Sequence, residues 1–177
     1  MKLKREFFIR DAKEVAPELL GKILVRKFED GRVEKKMITE VEIYGGEEDL
    51  ASHARFGKTK RNAVMYGVGG HIYVYFIYGM YWLMNIITGK EDDSQAILIR
   101  GVEGLSGPGK VGKWLKLDKS FYGEDLIKSE RIWVESVPSC KGSTLVRRIE
   151  RRERIGVDYA GAWARKKWRY ILKTTCD

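Results

Sequence analysis

Hydrophobic residues along the chain recur with two periods. Val15, Leu19 and Leu20 sit at helical spacing behind Asp11, whose side chain can cap the first turn; Gly21 can close the helix, and Pro17 is expected near its first turn. Residues 22–28 and 32–44 read as two strands around Asp30-Gly31, a hairpin signal because glycine supplies the positive φ that the turn needs. In the second strand, period two puts Met37, Thr39, Val41 and Ile43 on one face as a core row, and Ile38, Glu40, Glu42 and Tyr44 on the other. Asp49 can cap a short helix carrying Ala51, His53 and Ala54, and a polar, basic loop from Phe56 to Asn62 follows. Residues 72–77 and 81–88 form two β-rich arms around Tyr78-Gly79-Met80, and residues 96–102 form a further strand. Gly107-Pro108-Gly109-Lys110 opens a helix through Leu117, and residues 132–137 and 168–172 are later strands. Hairpin-length turns rather than helical crossovers join the strands, so the class is α+β with a largely antiparallel sheet.

One block departs from the charged background. From Ala63 to Gly89 there is no Lys, Arg, Asp or Glu, in a chain that is 33% charged. The length would suffice for a membrane span. Glycines at 67, 69, 70 and 79, central tyrosines and Asn85 fit a lipid-facing helix poorly, and a buried β-hairpin fits better. Elsewhere the composition suits one domain over residues 1–177: 44% apolar residues can build a core, and no repeat or long linker divides them.

Charge then narrows the partner. The 34 Lys and Arg outnumber 25 Asp and Glu, giving +9, and residues 101–177, with 17 positive and 10 negative groups, carry +7 of it. Nucleic acid or an anionic membrane surface is the expected partner. Cys140 and Cys176 are too few for a disulfide scaffold, and no secretory apolar segment follows Met1, so a reducing compartment is expected: cytoplasmic or nuclear, not secreted. His53 and His71 are the only histidines and have no ligand spacing, so neither metal nor cofactor is expected.

Two carboxylates beside a tyrosine on one strand face, Glu40, Glu42 and Tyr44, could serve hydrolysis of a glycosidic bond: a base to activate water, and negative charge for an oxocarbenium-like transition state. The same pattern also suits an ordinary solvent-facing strand. Tyr75 and Tyr78, three apart, cannot share a face of a regular strand, so the strand ends near Ile77 or a bulge intervenes.

Read in order, Glu40-Val-Glu42-Ile-Tyr44, Glu48-Asp49-Leu-Ala-Ser-His53, Thr59-Lys-Arg61-Asn62 with Met65, Tyr73-Val-Tyr75-Phe-Ile-Tyr78-Gly79-Met80, Asn85 and Ile97-Leu-Ile-Arg100 resemble the alkyladenine (3-methyladenine) DNA glycosylase family. The resemblance runs from Leu19-Leu-Gly21 through Gly107-Pro-Gly-Lys110 to Arg154-Ile-Gly156 and Gly161-Ala-Trp163-Ala-Arg165. It implies a monomeric α+β domain with a curved, largely antiparallel sheet surrounded by helices and a protruding β-hairpin. The implied activity is excision of alkylated purines from double-stranded DNA without a cofactor: 3-methyladenine foremost, with 7-methylguanine, hypoxanthine and ethenoadenine as further substrates. Glu42 matches the family's general base, and Arg100 the arginine that holds the attacking water. Tyr44, His53, Met65, Tyr75 and Asn85 match the base pocket, with Asn85 crowding the guanine amino group, and Tyr78 matches the side chain wedged into the duplex. Val41 and Ile43 stand where Thr and Ala are usual.

The chemistry agrees with these roles. The target nucleotide must leave the stack, at a cost of a few kcal/mol, and a ring at a hairpin tip can fill the gap. Purines methylated on a ring nitrogen are cationic, so aromatic walls such as Tyr44 and Tyr75 would hold them by stacking and cation–π attraction, and the charge makes the base a good leaving group. Arg61, Lys110 and Arg154 are the candidate contacts to the DNA backbone, while Arg147, Arg148, Arg151 and Arg152 read equally as a solvated charge run. Glu40 reads as a structural or orienting carboxylate rather than a second catalyst. The rival classes are a basic nucleic-acid-binding module without catalysis and a glycosidase acting on RNA or free nucleosides.

Overall fold

The computed structural model describes residues 1–137 and 146–175; Cys140 and Cys176 lie outside them. Short helix α1 (Arg5–Phe8) precedes α2 (Ala12–Leu19), which Asp11 caps by accepting from the Lys13 amide, and Gly21 at φ 81° turns the chain into the first strand. Pro17 sits in the second turn of α2, not the first. Its position is tolerated because this helix is short and packs its Val15, Ala16 and Leu19 face into the core.

Nine strands are described: β1 (Ile23–Lys27), β2 (Val33–Gly45), β3 (Ile72–Ile77), β4 (Tyr81–Thr88), β5 (Gln95–Val102), β6 (Leu105–Ser106), β7 (Ile132–Glu135), β8 (Val146–Arg152) and β9 (Arg169–Thr175). They form one curled antiparallel sheet in the order β3-β4-β5-β2-β1-β7; β6 pairs β5, β9 pairs the second half of β2, and β8 pairs β9. Helix α3 (Pro108–Leu115) ends two residues before the expected Leu117, because Lys116 turns left-handed and its amide closes the last turn. Its seat on the hairpin is close. A Cβ on Gly109 would lie 2.8 Å from the Tyr81 ring, and one on Gly112 would lie 1.9 Å from the Trp82 carbonyl oxygen.

The long strand β2 breaks its own alternation. Register shifts on both sides of Glu40 mark a bulge, and the core row is Ile38, Val41 and Ile43, each fully buried, while Met37 and Thr39 are only partly covered. At this bulge the neighbour of β2 changes from β1 to β9. With Ile97, Ile99, Ile86 and Val74, the β2 core row meets α2 and the Val111 and Leu115 face of α3. The opposite sheet face carries a second, smaller cluster around Met65, Tyr66 and Tyr73.

Two further segments differ from expectation. Residues 50–56 form turns rather than a helix, because Asp49 spends its carboxylate on the Gly45 and Ala51 amides and on a distant arginine. The arginine run at 147–152 belongs to strand β8, with Arg148, Arg151 and Arg152 exposed and Glu150 pairing with Arg152 and Lys173. No helix among the described residues is long and apolar enough to cross a membrane.

Candidate active site

A single register row crosses this second face. Tyr73 on β3 pairs with Asn85 on β4, Asn85 with Leu98 on β5, Leu98 with Glu42 on β2, and Glu42 with Arg169 on β9. Antiparallel pairing puts these side chains on one face, so residues from 42 to 169 in sequence become neighbours. Tyr44 and Tyr75, two residues along β2 and β3, share that face, and the loop after Asp49 brings His53 over it. His53 Nδ1 lies 2.8 Å from the Tyr73 hydroxyl, and its ring meets Tyr75 edge to face at 4.6 Å between centroids.

Tyr44, His53, Tyr75 and Leu98 line a cleft of about 520 Å³, within the usual range for small-molecule sites. Tyr44, His53 and Tyr75 also wall a narrow inner recess, with Met65 and Asn85 at its end. The five residues expected to form a base pocket thus come together. Asn85 is buried and donates to the Tyr73 carbonyl at 3.2 Å. Arg100, Lys110 and Tyr78 border the cleft.

Glu42 lies beneath the cleft and has no exposed surface. Its Oε1 accepts from the Ile155 amide at 2.9 Å and faces Arg100 Nη1 at 3.4 Å, and its Oε2 accepts from the Tyr44 hydroxyl at 3.1 Å. Burial raises its carboxyl above the ordinary range, against the pull of Arg100, the Ile155 amide, the Tyr44 hydroxyl and Arg169. The Tyr44 phenol is raised well above its usual value, by burial first and then by the adjacent Glu42. Burial, together with Arg61 and Arg55, lowers His53 to about 4, so its ring is neutral at pH 7.

Tyr78 is 82% exposed at the hairpin tip, one residue beyond the end of β3. Both Tyr78 (φ 53°) and Gly79 (φ 66°) are left-handed, closed by the Met80 amide on the Ile77 carbonyl. Glycine takes this conformation freely, whereas for tyrosine it costs about 1–2 kcal/mol. Strain of that kind concentrates at functional positions.

The Arg154 side chain is fully buried and does not face solvent. Its two Nη atoms clasp both carboxylate oxygens of Asp49 at 2.5 and 2.9 Å and donate to the carbonyls of Ile43 and Trp163, while its guanidinium lies about 5 Å from the Tyr44 and Trp168 rings. Its Nε has no partner but is buried, so the side chain has no exposed donor to offer a phosphate. Its task is to tie the segment after β8 to β2, which aims the Ile155 amide at Glu42. Arg61 and Lys110 are exposed.

Sequence reasoning missed four contributors. Tyr73 carried a legible signal, since period two aligns it with Tyr75. Asp49, Arg169 and the Ile155 amide carried none, because their partners lie about a hundred residues away.

Comparisons with known proteins agree with the geometry. The methylpurine-DNA glycosylase family model matches residues 6–106 and 105–176. A protein of Anaeromyxobacter sp. (strain Fw109-5) is 42% identical over 98% of this chain and 90% of its own length. One of Methanocella arvoryzae is 39% identical (98% and 93%), and one of Legionella pneumophila (strain Corby) is 41% identical (97% and 94%). All three bear the name "Putative 3-methyladenine DNA glycosylase". A match across nearly the whole length by both routes leaves one assignment: the chain belongs to the methylpurine-DNA glycosylase family.

Proposed function

We propose that the protein is a monofunctional DNA glycosylase that extrudes an alkylated purine from duplex DNA and hydrolyses its N-glycosidic bond with water activated by Glu42, leaving an abasic site. The observation that carries this is Glu42 itself: a fully buried carboxylate, raised by desolvation, under a cleft walled by Tyr44, His53 and Tyr75. Water would reach it between Tyr44 and Arg100, the two cleft-lining side chains that touch its carboxylate. Tyr78 would fill the gap left by the flipped nucleotide, and Arg61, Lys110 and the exposed arginines of β8 would meet phosphates.

The walls favour cationic bases. Tyr44 and Tyr75 offer π faces, and a neutral His53 does not repel a positive ring. At pH 7 neither His53 nor the raised tyrosines can act as a strong acid toward a leaving base. The preferred substrates are therefore 3-methyladenine and 7-methylguanine, ahead of neutral hypoxanthine and ethenoadenine, which need protonation to depart.

The rival reading, a DNA-binding module that performs no hydrolysis, would make Glu42 an ordinary surface residue, and its complete burial speaks against that. Incubation with a methylated duplex separates the two. A glycosylase releases free methylpurine and leaves alkali-sensitive breaks; binding without either product, across several pH values and temperatures, establishes the module.

A further inference from the structure

Glu40 sits at the bulge of β2, two residues before Glu42, and the hydrolysis proposed above gives it no step. Its Oε1 accepts from two cations: Arg100 Nε at 3.3 Å and Arg169 Nη1 at 3.0 Å. All three side chains are largely buried, with 11–16% exposure. Arg100 is the side chain that faces Glu42 at 3.4 Å, longer than the 2.7–2.9 Å of a closed charge-assisted bond. Arg169 stands opposite Glu42 in the β2–β9 register and is anchored from its other side by donating to the Glu153 carbonyl at 2.8 Å.

The neighbouring strand makes room for this arrangement. Gly101 pairs with Glu40, and a Cβ on Gly101 would come within 3.0 Å of Glu40 Cβ and 3.5 Å of its Oε2. The bulge and the missing side chain together let the Glu40 carboxylate lie alongside Arg100.

We propose that Glu40 is a positioning residue for the reaction: by holding Arg100 and Arg169 it keeps both cations from closing on Glu42, which stays a usable base with room for water rather than one half of a tight ion pair. Glu40's role presupposes Glu42 as the base proposed above. The groups facing Glu42 are Tyr44 from its own strand, Tyr75 from β3, Arg100 from β5, Arg169 from β9 and the Ile155 amide, while Glu40, two residues back on that strand, shares Arg100 with it. Removing the Glu40 charge ends a like-charge repulsion and releases two cations, and both changes favour ionised Glu42. The ionised carboxylate is then easier to form and weaker as a base.

The test is single-turnover excision of 7-methylguanine from duplex DNA across pH, since that base is already cationic and its protonation does not enter the acid limb. Glu40→Gln is expected to move the acid limb about one unit toward lower pH and to lower the plateau rate about tenfold, with affinity for abasic duplex unchanged. Glu40→Asp should return the limb toward wild type. Gly101→Ala, which displaces Glu40 without deleting its charge, should shift the limb in the same direction by less, and it serves where Glu40→Gln does not fold. A merely structural Glu40 would lower the active fraction and leave the limb in place, and superimposable limbs would overturn the inference. If wild-type protein releases no base, or Glu42→Gln releases it as fast as wild type, then Glu42 is not the base and Glu40 has nothing to tune. If wild type excises, Glu42→Gln does not, and the limb of Glu40→Gln is unmoved, only the inference about Glu40 fails.

Discussion

Replacing Arg154 by methionine distinguishes a buried clamp from a DNA contact. The change keeps much of the apolar stem and removes the guanidinium. It leaves the Asp49 carboxylate, which has no exposed surface, with only the Gly45 and Ala51 amides, and it strips donors from the Ile43 and Trp163 carbonyls. Removing one partner of a buried pair costs about 3–5 kcal/mol, because the other charge stays desolvated. For a chain of this size, each kcal/mol is about 2–4 °C in melting temperature, so the expected fall is on the order of 6–20 °C. Urea unfolding of wild type, Arg154→Met, Asp49→Leu and the double variant completes a thermodynamic cycle. The double variant should be more stable than the sum of the single losses by about 0.5–3 kcal/mol, since it leaves no orphan charge. A solvent-facing arginine touching phosphate behaves otherwise: stability within about 0.5 kcal/mol of wild type, and a salt dependence of DNA binding shallower by about one phosphate contact. That second pattern would refute the buried clamp.

Three other outcomes follow from particular geometries. Tyr78→Gly relieves a left-handed tyrosine, so the fold should gain about 1 kcal/mol while excision from duplex falls sharply; a loss of stability, or undiminished excision, contradicts a strained wedge. Gly112→Ala puts a Cβ against the Trp82 carbonyl and should cost about 1–3 kcal/mol of unfolding free energy, read as a lower urea midpoint, as α3 backs away from β4; a neutral effect would mean that the contact is not close. His53, held neutral to about 4, binds its proton more readily in the unfolded chain, whose histidine titrates near 6.5. Its stabilising contribution is therefore complete above pH 6.5 and is lost as pH falls from 6.5 toward 4. His53→Gln should flatten the stability profile in that window, and an unchanged profile would place the imidazole in solvent-like surroundings.

The hairpin and the entry strands were legible because their signals are local: a glycine at each turn and uncharged, largely apolar arms in residues 72–77 and 81–88 fix type and register together. Glu42 and Tyr44 were legible by parity. The first half of the same strand was not, because the bulge at Glu40 inserts a residue into the count, so Ile38 rather than Met37 enters the core. Arg154 failed for a different reason. Charge alone reads as solvent exposure, and its partner Asp49 had a sufficient local explanation as a helix cap. The strand at 146–152 was hidden because an exposed strand lined with arginines has little alternation to read. The Glu42 environment combines β2, β5, β9 and the Ile155 amide, and only the fold assembles those.

The central claim is that Glu42 activates the water. Glu42→Gln keeps the side-chain volume and one acceptor but removes the base and a buried charge. Single-turnover release of methylpurine at pH 7 should fall by about 10²–10⁴-fold, with affinity for abasic duplex unchanged and no loss of thermal stability, since burial disfavours the carboxylate that the variant lacks. Excision within a few-fold of wild type, by a protein that still binds abasic DNA, would contradict it.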